Sequence, residues 1–412
     1  MSEEPPPVLA LTPLNPVFRE DPYSMLASLR EHHPVLRDEG MGVFFLTRHE
    51  DVRAILTDLT LWRGPEHAEE AAIFTRRILD PPEGVELDPN ASRNPTILLM
   101  DDPDHARVRS PLAQALYKRA AKFKGEVERI VDEALAGLDG RQSFDLMRDF
   151  AVIIPIDVIA AILGVERSRL AEFRDWSEGA IQGLNPLRTP AQTEHMMRSG
   201  VALREHMAGM LAARRAHPED DLVTDMVQAQ AAGAELTDDD LISNLNALLI
   251  AGNLTTTDLI GNAVRLLLTH PAELAKLRAD PALIGATVEE VLRFEPPVDL
   301  TGRIASREMN VSGCPIHDTQ SMLLSLRGAN RDPAVFDAPD AFDITRKKSP
   351  HVAFGGGAHI CIGAPLARLE AQVALSRLIA RYPNLRLADP EAKPEWRTLP
   401  FFRGLERLEV AV

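Results

Sequence analysis

A long run with helical periodicity over residues 238–269 constrains the fold of this chain more than any other feature. Thr237, with Asp240 three residues later, provides a good N-cap, and His270 precedes a proline that ends the run. The leucines of the run fall on more than one face of a helix, as in helices that are buried nearly all round. We therefore expect a long helix through the centre of the protein.

The middle of this run, residues 251–257, replaces bulky side chains with small and hydroxyl-bearing ones. Gly252 costs about 1 kcal/mol of helix stability relative to alanine. We therefore expect the small side chains to serve packing or binding. One interpretation is a close contact between helices. The other is a notch against a planar ligand, and the run alone does not decide between them.

Composition and charge narrow the function classes. The chain has 412 residues, with 61 acidic and 45 basic side chains and a net charge of −16, which disfavours general binding to nucleic acid. Two cysteines, Cys314 and Cys361, suit a reducing compartment rather than a disulfide framework. We find neither a secretory signal nor the roughly 20 apolar residues that span a bilayer, and we expect a cytoplasmic protein without membrane contact.

Other patterns indicate a mainly helical domain. Residues 43–46 form an apolar run typical of a short strand, and residues 80–98, rich in proline, glycine and asparagine, predict a long irregular segment that borders a pocket. Helical spacing recurs in segments that end at proline, glycine or charge clusters. These predicted helices cover residues 23–32, 50–56, 104–138, 150–163 and 190–216.

The chemistry of the chain is concentrated near its C-terminus, in the glycine-rich segment 354–363 that contains Cys361. Glycines let a backbone turn tightly and approach a bulky group. A helix that follows the segment places its N-terminus beside Cys361, where a thiolate is stabilised. The residues alone leave open a metal ligand, a buried structural cysteine or a cysteine nucleophile.

As one string, residues 354–363 resemble the haem-binding loop of the cytochrome P450 family, Phe-Gly-x-Gly-x-(His/Arg)-x-Cys-x-Gly. Glu290 and Arg293 match the family's Glu-x-x-Arg, and residues 102–109 are similar to its Asp-Pro-Pro-x-His-x-x-x-Arg. The resemblance extends from Asp21 to the end of the chain. It implies a mainly α fold with small β-sheets, a long central helix over a buried haem, and one catalytic domain over residues 1–412 whose first 15 residues are a flexible lead-in.

The resemblance also implies a cofactor, haem b (iron protoporphyrin IX), with Cys361 as the axial thiolate ligand of the iron. Basic residues at four further positions match those that hold the haem propionates. Glu290 and Arg293 match a structural ion pair, and either Arg331 replaces the arginine that is missing from the family's third position or the pair stands alone. The predicted propionate contacts are His105, Arg109, Arg303 and His359.

The central helix departs from the family pattern at one position. Where the family has an acid followed by threonine, this chain has Leu254 followed by Thr255. Leucine cannot donate a proton, so we expect Thr255 and ordered water to act in proton delivery, with Asn253 or Thr256 completing the relay. Asp258 is the nearest carboxylate along the sequence.

By the same resemblance, an apolar pocket accepts a hydrophobic substrate such as a terpenoid, aromatic, steroid or fatty acyl compound. Besides segment 80–98 and Thr301, the implied lining consists of seven apolar residues, of which the two phenylalanines could equally be core. They are Leu245, Leu248, Leu249, Val298, Leu300, Phe401 and Phe402.

The leading function is a bacterial-type monooxygenase that uses O₂ and takes electrons from a separate ferredoxin and ferredoxin reductase. Direct use of hydrogen peroxide and non-catalytic ligand binding are the alternatives, and Leu254 is compatible with both. A basic cluster in an acidic chain suggests where an acidic ferredoxin docks, unless it is only a solvated helix face. Its members are Arg107, Arg109, Lys118, Arg119, Lys122 and Lys124.

Overall fold

The computed structural model describes residues 6–76, 96–184 and 188–412. Helices dominate this part of the chain, which confirms the mainly α fold that the sequence predicts. Their bounds are α1 Pro16–Glu20, α2 Tyr23–His32, α3 His49–Thr57, α4 Ile73–Arg76, α5 Asp104–Ala120, α6 Lys124–Ala136, α7 Ile153–Leu163, α8 Leu170–Ile181, α9 Pro190–Ala216, α10 Leu222–Ala231, α11 Asp238–Thr269, α12 Pro271–Ala279, α13 Ile284–Phe294, α14 Leu326–Ala329 and α15 Ala364–Arg381.

The strands are short and form small sheets. The largest sheet has the order β1-β2-β7-β4, in which β2 and β7 are parallel and the outer pairs are antiparallel. Every residue of β2 and β7 is buried, as expected for central strands covered on both faces. The strand bounds are β1 Val35–Asp38, β2 Val43–Leu46, β3 Ser143–Asp145, β4 Leu300–Ile304, β5 Met309–Val311, β6 Cys314–Ile316, β7 Ser321–Ser325, β8 Arg386–Leu387, β9 Glu395–Trp396, β10 Leu405–Arg407 and β11 Glu409–Ala411.

The predicted central helix is α11, 32 residues long. Thr237 and Asp240 form the reciprocal capping box, in which each side chain accepts from the backbone N–H of the other residue. The helix packs against α7, α9, α13 and α15 in the main hydrophobic core. Burial on nearly all sides explains why its apolar residues do not form a single stripe.

Several boundaries differ from the sequence prediction. The helix expected over 104–138 is two helices, because residues 120–123 close a tighter turn in which Phe123 N–H donates to the carbonyl of Ala120. A π-helical turn at Met147–Ala151 precedes α7, so the helix expected from residue 150 begins at Ile153. Val8 and Leu11 are buried, so these lead-in residues are packed rather than flexible.

Most of the irregular segment 80–98, which we expect to border a pocket, lies outside the described residues; residues 96–98 are described. Among the helices that are described, none is long and apolar enough to cross a membrane.

Candidate functional site

The loop before α15 fixes the position of Cys361. Gly355 and Gly357 have φ angles of +70° and +63°, a conformation that other residues adopt only with strain. A Cβ on Gly357 would lie 2.4 Å from the carbonyl oxygen of Leu56, so the loop can approach α3 only with glycine there. The N–H of Cys361 donates to the carbonyl of Phe354 over 2.9 Å, which closes the turn.

Several neighbours of Cys361 favour the thiolate form of its side chain. The backbone N–H groups of Gly363 and Ala364, at the N-terminus of α15, donate to its sulfur, and Arg109 and Arg368 add positive charge nearby. Burial nevertheless raises the pKa of the thiol. The side chain still has accessible surface, so it lies on the wall of an internal space. A thiolate there requires a cation as its partner.

A second internal wall lies midway along α11. Ala247, Ala251 and Thr255, each four residues apart, retain accessible surface in a helix that is otherwise packed on nearly all sides. A Cβ on Gly252 would meet nothing within 4 Å. The small residues at the centre of α11 therefore leave room beside this face, and they do not form the close helix contact that was the first interpretation.

The polar side chains in the middle of α11 point in different directions. Thr255 lies on the open face, where its hydroxyl donates to the carbonyl of Ala251 over 2.8 Å. Asn253 is buried, and its amide donates to Ser177 of α8 over 2.8 Å. Two residues along a helix turn the side chain by roughly 200°. The structure therefore does not bring Asn253 to the open face, which corrects the relay expected from the sequence.

Neither Thr256 nor Asp258 has appreciable accessible surface. Asp258 lies beneath the C-terminal hairpin, which consists of β9, β10 and the residues between them. There a Cβ on Gly404 would overlap its carboxylate, and Arg397 is 3.6 Å away. Both carboxylate oxygens of Asp258 lack a hydrogen-bond donor among the described residues. Burial raises the pKa of Asp258 to about 7.

Three of the four predicted propionate contacts lie together with an arginine that the sequence analysis missed. We call Arg63, His105, Arg303 and His359 the open cation cluster. The rings of His105 and His359 are 4.1 Å apart between centroids. Arg63 joins the cluster because Trp62 pairs with Ile304 at the end of β4, a contact between distant segments that no local pattern signals.

Among the described residues, the only carboxylate within 4 Å of the open cation cluster is Asp102, 3.5 Å from Nδ1 of His105. In the described chain no carboxylate oxygen lies within 4 Å of the guanidinium of Arg63 or Arg303, although Arg303 is only 3 % exposed. Burial lowers the pKa of Arg303 to about 9 and that of Arg63 to about 10. Burial, together with the charges of Arg63 and Arg303, lowers the pKa of His359 to about 2. His105 Nε2 is buried and has no hydrogen-bond partner in the described part.

The fourth predicted contact, Arg109, lies nearer the sulfur. Its guanidinium donates to the carbonyl of Ile360, the residue before Cys361. It also contributes to the low pKa of both His105 and His359. Arg109 therefore connects the cation cluster with the cysteine loop.

A second buried cluster has all of its charges paired. We call Glu290, Arg293 and Arg346 the closed cluster. Arg293 donates two hydrogen bonds to Glu290, at 2.8 and 2.7 Å, and Arg346 donates to Glu290 over 3.1 Å. Arg331 instead pairs with Asp340 over 2.9 Å. Both earlier alternatives are therefore wrong, because Arg346 supplies the third charge.

The predicted pocket residues fall into two groups. Leu245 and Leu249 have no accessible surface and belong to the main core, and Leu300 is buried among the residues around the N-terminal segment. Without side-chain movement these three cannot contact a ligand, which corrects the sequence prediction. Phe401 packs against the same N-terminal core.

Three other predicted pocket residues remain candidates. Leu248 is partly accessible, next to the open face of α11. Val298 and Phe402 are half-buried and face each other in an isolated β-bridge. Thr301 is also half-buried and accepts a hydrogen bond from Arg63 over 2.6 Å, so this pocket candidate adjoins the open cation cluster.

Comparisons with known proteins agree with this geometry. Residues 201–400 match the family model of cytochrome P450. The chain is 37 % identical over 398 residues to cytochrome P450 107B1 of Saccharopolyspora erythraea, covering 95 % of each chain. It is 35 % identical over 401 residues to vitamin D(3) 25-hydroxylase of Pseudonocardia autotrophica, covering 96 % of this chain and 94 % of that one.

Among solved structures, the chain resembles P450BioI in complex with acyl carrier protein ligated to hexadec-9Z-enoic acid. The TM-score is 0.84 and the identity 32 %, with 96 % of this chain and 100 % of that chain covered.

Proposed function

The chain belongs to the cytochrome P450 family, and from this premise we propose that it inserts one oxygen atom from O₂ into a hydrophobic small molecule, with electrons from a separate ferredoxin and ferredoxin reductase. P450 monooxygenase activity follows from the family and its named relatives. The form of haem, the residues that hold it, the electron donor and the substrate are our proposals. We also propose that the whole chain forms one catalytic domain.

The observation that supports the haem site most strongly is the open cation cluster. Buried guanidinium groups without counterions are costly, and haem b brings two propionate carboxylates. We propose that Arg303, His359, His105 and Arg63 hold these carboxylates through charge-assisted hydrogen bonds. Arg109, between this cluster and the cysteine loop, would support both.

We propose that the Cys361 thiolate would hold the haem iron. Its sulfur has two backbone N–H donors and positive neighbours that favour the thiolate, and it lies on an internal wall. Bound haem supplies dioxygen activation, and a thiolate ligand favours O–O cleavage. We propose that the open face of α11, where a Cβ on Gly252 would meet nothing within 4 Å, forms the second wall of this space and leaves room for a flat group.

For proton delivery we propose that Thr255 orients water at the open face of α11. Its hydroxyl accepts a hydrogen bond from water while it donates to the Ala251 carbonyl. Leu254 supplies no proton, and Asn253 is held by Ser177. Thr256 remains a candidate only if its buried side chain moves. Thr255→Ala is expected to release more hydrogen peroxide per electron consumed, and Thr255→Ser to restore the wild-type ratio.

The ferredoxin surface is smaller than the sequence suggests. Arg107 is engaged by Asp104 and Asp240, and Arg119 by Asp220 and Asp225. The exposed cations that remain in this segment include Lys118 and Lys122, which have no ion pair with another described residue. We propose that these two lysines attract an acidic ferredoxin.

Replacing Lys118 and Lys122 with glutamate is expected to slow electron transfer from ferredoxin, with the difference decreasing as salt is added. Arg198→Glu with Arg278→Glu is the matched control, because it makes the same change in net charge at exposed positions of α9 and α12. Equal rates in the two double variants at low salt would refute the docking site.

We propose a hydrophobic substrate that contacts Leu248, Val298 and Phe402. Apolar pockets with few polar groups favour such ligands. The named relatives differ in what they bind or hydroxylate, from vitamin D₃ to a fatty acyl group on a carrier protein, so both classes belong in a screen. Binding is measured by the spectral shift of the haem.

The function is tested by supplying NADH or NADPH, reductase, ferredoxin, isotope-labelled O₂ and a compound that binds. One labelled oxygen atom in the product is expected. Leu254 favours a second candidate, a peroxygenase, because the helix lacks the usual acid. Product formation with hydrogen peroxide alone, and none with the electron-transfer proteins, would support that alternative. Binding without product under either condition would indicate a non-catalytic protein.

A further inference from the structure

A large cleft lies apart from the cysteine site. It has a volume of about 770 Å³ and is formed by the N-terminal helices, the end of α11, the end of α13, the α14 region and the C-terminal hairpin. Neither Cys361 nor any member of the open cation cluster lines it. A cleft of this volume accommodates an organic molecule of drug size.

Cations outnumber anions along the cleft, although the whole chain has a net charge of −16. The carboxylates that line it are Glu20, Asp21, Glu295 and Asp340. The cationic side chains are Arg30, Arg265, Arg327, Arg331, Arg403 and Lys393. Two further carboxylates lie just behind the lining, Asp299 beside Arg327 and Asp332 at 4.0 Å from Arg30, so what matters for a ligand is which cation lacks a close carboxylate.

Most of these cations already have partners. Glu295 accepts from both Arg327 and Arg403, whereas Lys393 lies 2.8 Å from Glu20. The same holds for Arg331, which pairs with Asp340. Fixed ion pairs of this kind shape the walls but leave little charge for a ligand.

Two arginines that line the cleft lack a close carboxylate. In the part of the chain that the structure describes, the guanidinium of Arg265 has neither a hydrogen bond nor a carboxylate within 4 Å, and burial lowers its pKa. Arg30 has a single carboxylate, on Asp332, at 4.0 Å, and burial lowers its pKa too. Half-buried guanidinium groups without close anions are sites where a ligand anion gains charge-assisted hydrogen bonds.

Aromatic rings lie beside the unpaired charge. Arg265 is 5.1 Å from the ring centre of Trp396, which itself lines the cleft together with Tyr23 and Phe294. Arginines already lie over these rings, Arg403 over Trp396 and Arg331 over Tyr23 and Phe294. A ligand that combines a flat ring with an anion would therefore meet the ring edges while its charge contacts Arg265. We propose that this cleft binds a small aromatic anion, a carboxylate or a phosphate ester, with its charged group at Arg265.

The proposal does not depend on the substrate or on the electron donor. The haem-loaded protein is titrated calorimetrically with benzoate and with phenyl phosphate, and with benzamide as the neutral analogue of benzoate. We expect saturable binding of at least one anion with a Kd below about 1 mM. Benzamide is expected to bind at least about tenfold more weakly, since it lacks the charge. The stronger of the two anions distinguishes carboxylate from phosphate.

Variants locate the binding. Arg265→Gln is expected to weaken the stronger anion about tenfold or more, and Arg265→Lys to restore part of the affinity because it keeps the charge. Arg278→Gln, at an exposed position of α12, is the control and should leave the affinity unchanged. Binding should also quench tryptophan fluorescence in wild type but not in Trp396→Phe. The haem spectrum and the reduced carbon monoxide spectrum confirm that each variant is folded.

The proposal is overturned by any of three results: no anion binds below about 1 mM, benzamide binds as tightly as benzoate while phenyl phosphate does not bind, or Arg265→Gln and Arg278→Gln behave alike. A shift of the haem spectrum on anion addition that persists in Arg265→Gln would place the anion in the substrate pocket and also overturn it.

Discussion

The closed cluster and the open cation cluster both contain arginines with almost no exposure, but they differ in their anions. Arg293 donates to Glu290 and to three backbone carbonyls, of Asn330, Pro339 and Ala341. Arg303 donates to one carbonyl, that of Gly302. The first arrangement is complete within the described chain, whereas Arg303 has no carboxylate within 4 Å there, and we propose that a ligand supplies it.

This difference separates structural charge from functional charge. Removing one partner of a buried ion pair destabilises the protein, because the remaining charge is left buried and unpaired. A buried cation without an anion makes the ligand-free protein less stable, and an anionic ligand that binds it makes the protein more stable. The same residue type therefore predicts opposite effects of mutation.

The largest effect is expected in the closed cluster. Arg293→Met leaves Glu290 buried with one arginine, so the free energy of unfolding should fall by about 3–5 kcal/mol, as measured by urea denaturation with and without haem. Arg346→Met, which removes a single hydrogen bond to Glu290 over 3.1 Å, is the matched comparison and should cost less. A loss below about 1 kcal/mol in Arg293→Met would mean that the closed cluster contributes no more than an exposed salt bridge, which would contradict the prediction.

A smaller and opposite effect is expected for Arg303→Gln. The haem-free variant should be as stable as haem-free wild type or more so, because a buried unpaired charge is gone. The haem-loaded variant should transfer haem to a scavenging globin faster than wild type, because a charge-assisted bond is lost. If haem transfer is unchanged while the haem-free protein is destabilised, Arg303 is structural and the comparison fails.

Asp258 is intermediate between the paired and the unpaired charges. Arg397 is 3.6 Å away, but neither carboxylate oxygen of Asp258 accepts a hydrogen bond from a described residue. Its pKa is raised by burial to about 7, above the ordinary value near 4. Between these pH values the folded protein binds more protons than the unfolded chain, so this carboxyl makes stability fall as pH rises from about 4 to about 7. Asp258→Asn should therefore raise the melting temperature at pH 8 and change it less at pH 5. Equal shifts at the two pH values would show that the carboxyl does not titrate in this range.

Much of this organisation could be predicted from sequence because its determinants are local. The capping box of α11 and the glycines around Cys361 are short patterns, and each fixes its own backbone geometry. Arg63 and Arg346 could not be found in this way. Both reach their clusters from segments far away in the sequence, through contacts that exist only after the chain has folded.

Sequence does not predict which face of α11 lies next to a ligand. Because it is buried nearly all round, its sequence has no polar face that would show which leucines lie next to a ligand. The structure separates Leu248, which is partly accessible, from Leu245 and Leu249, which are core. Asn253 is close to Thr255 in sequence, but a separation of two residues along a helix places it on another face.

The most direct test of the account is whether Cys361 holds haem iron as a thiolate. The haem-loaded protein is reduced under carbon monoxide, and the absorption spectrum is compared for wild type, Cys361→Ala and Cys314→Ala. The strongly red-shifted Soret band is expected in wild type and in Cys314→Ala, because Cys314 lies on β6 outside the candidate site, and is expected to be absent in Cys361→Ala. A wild type without the band, or a Cys361→Ala variant that retains it, would contradict the assignment.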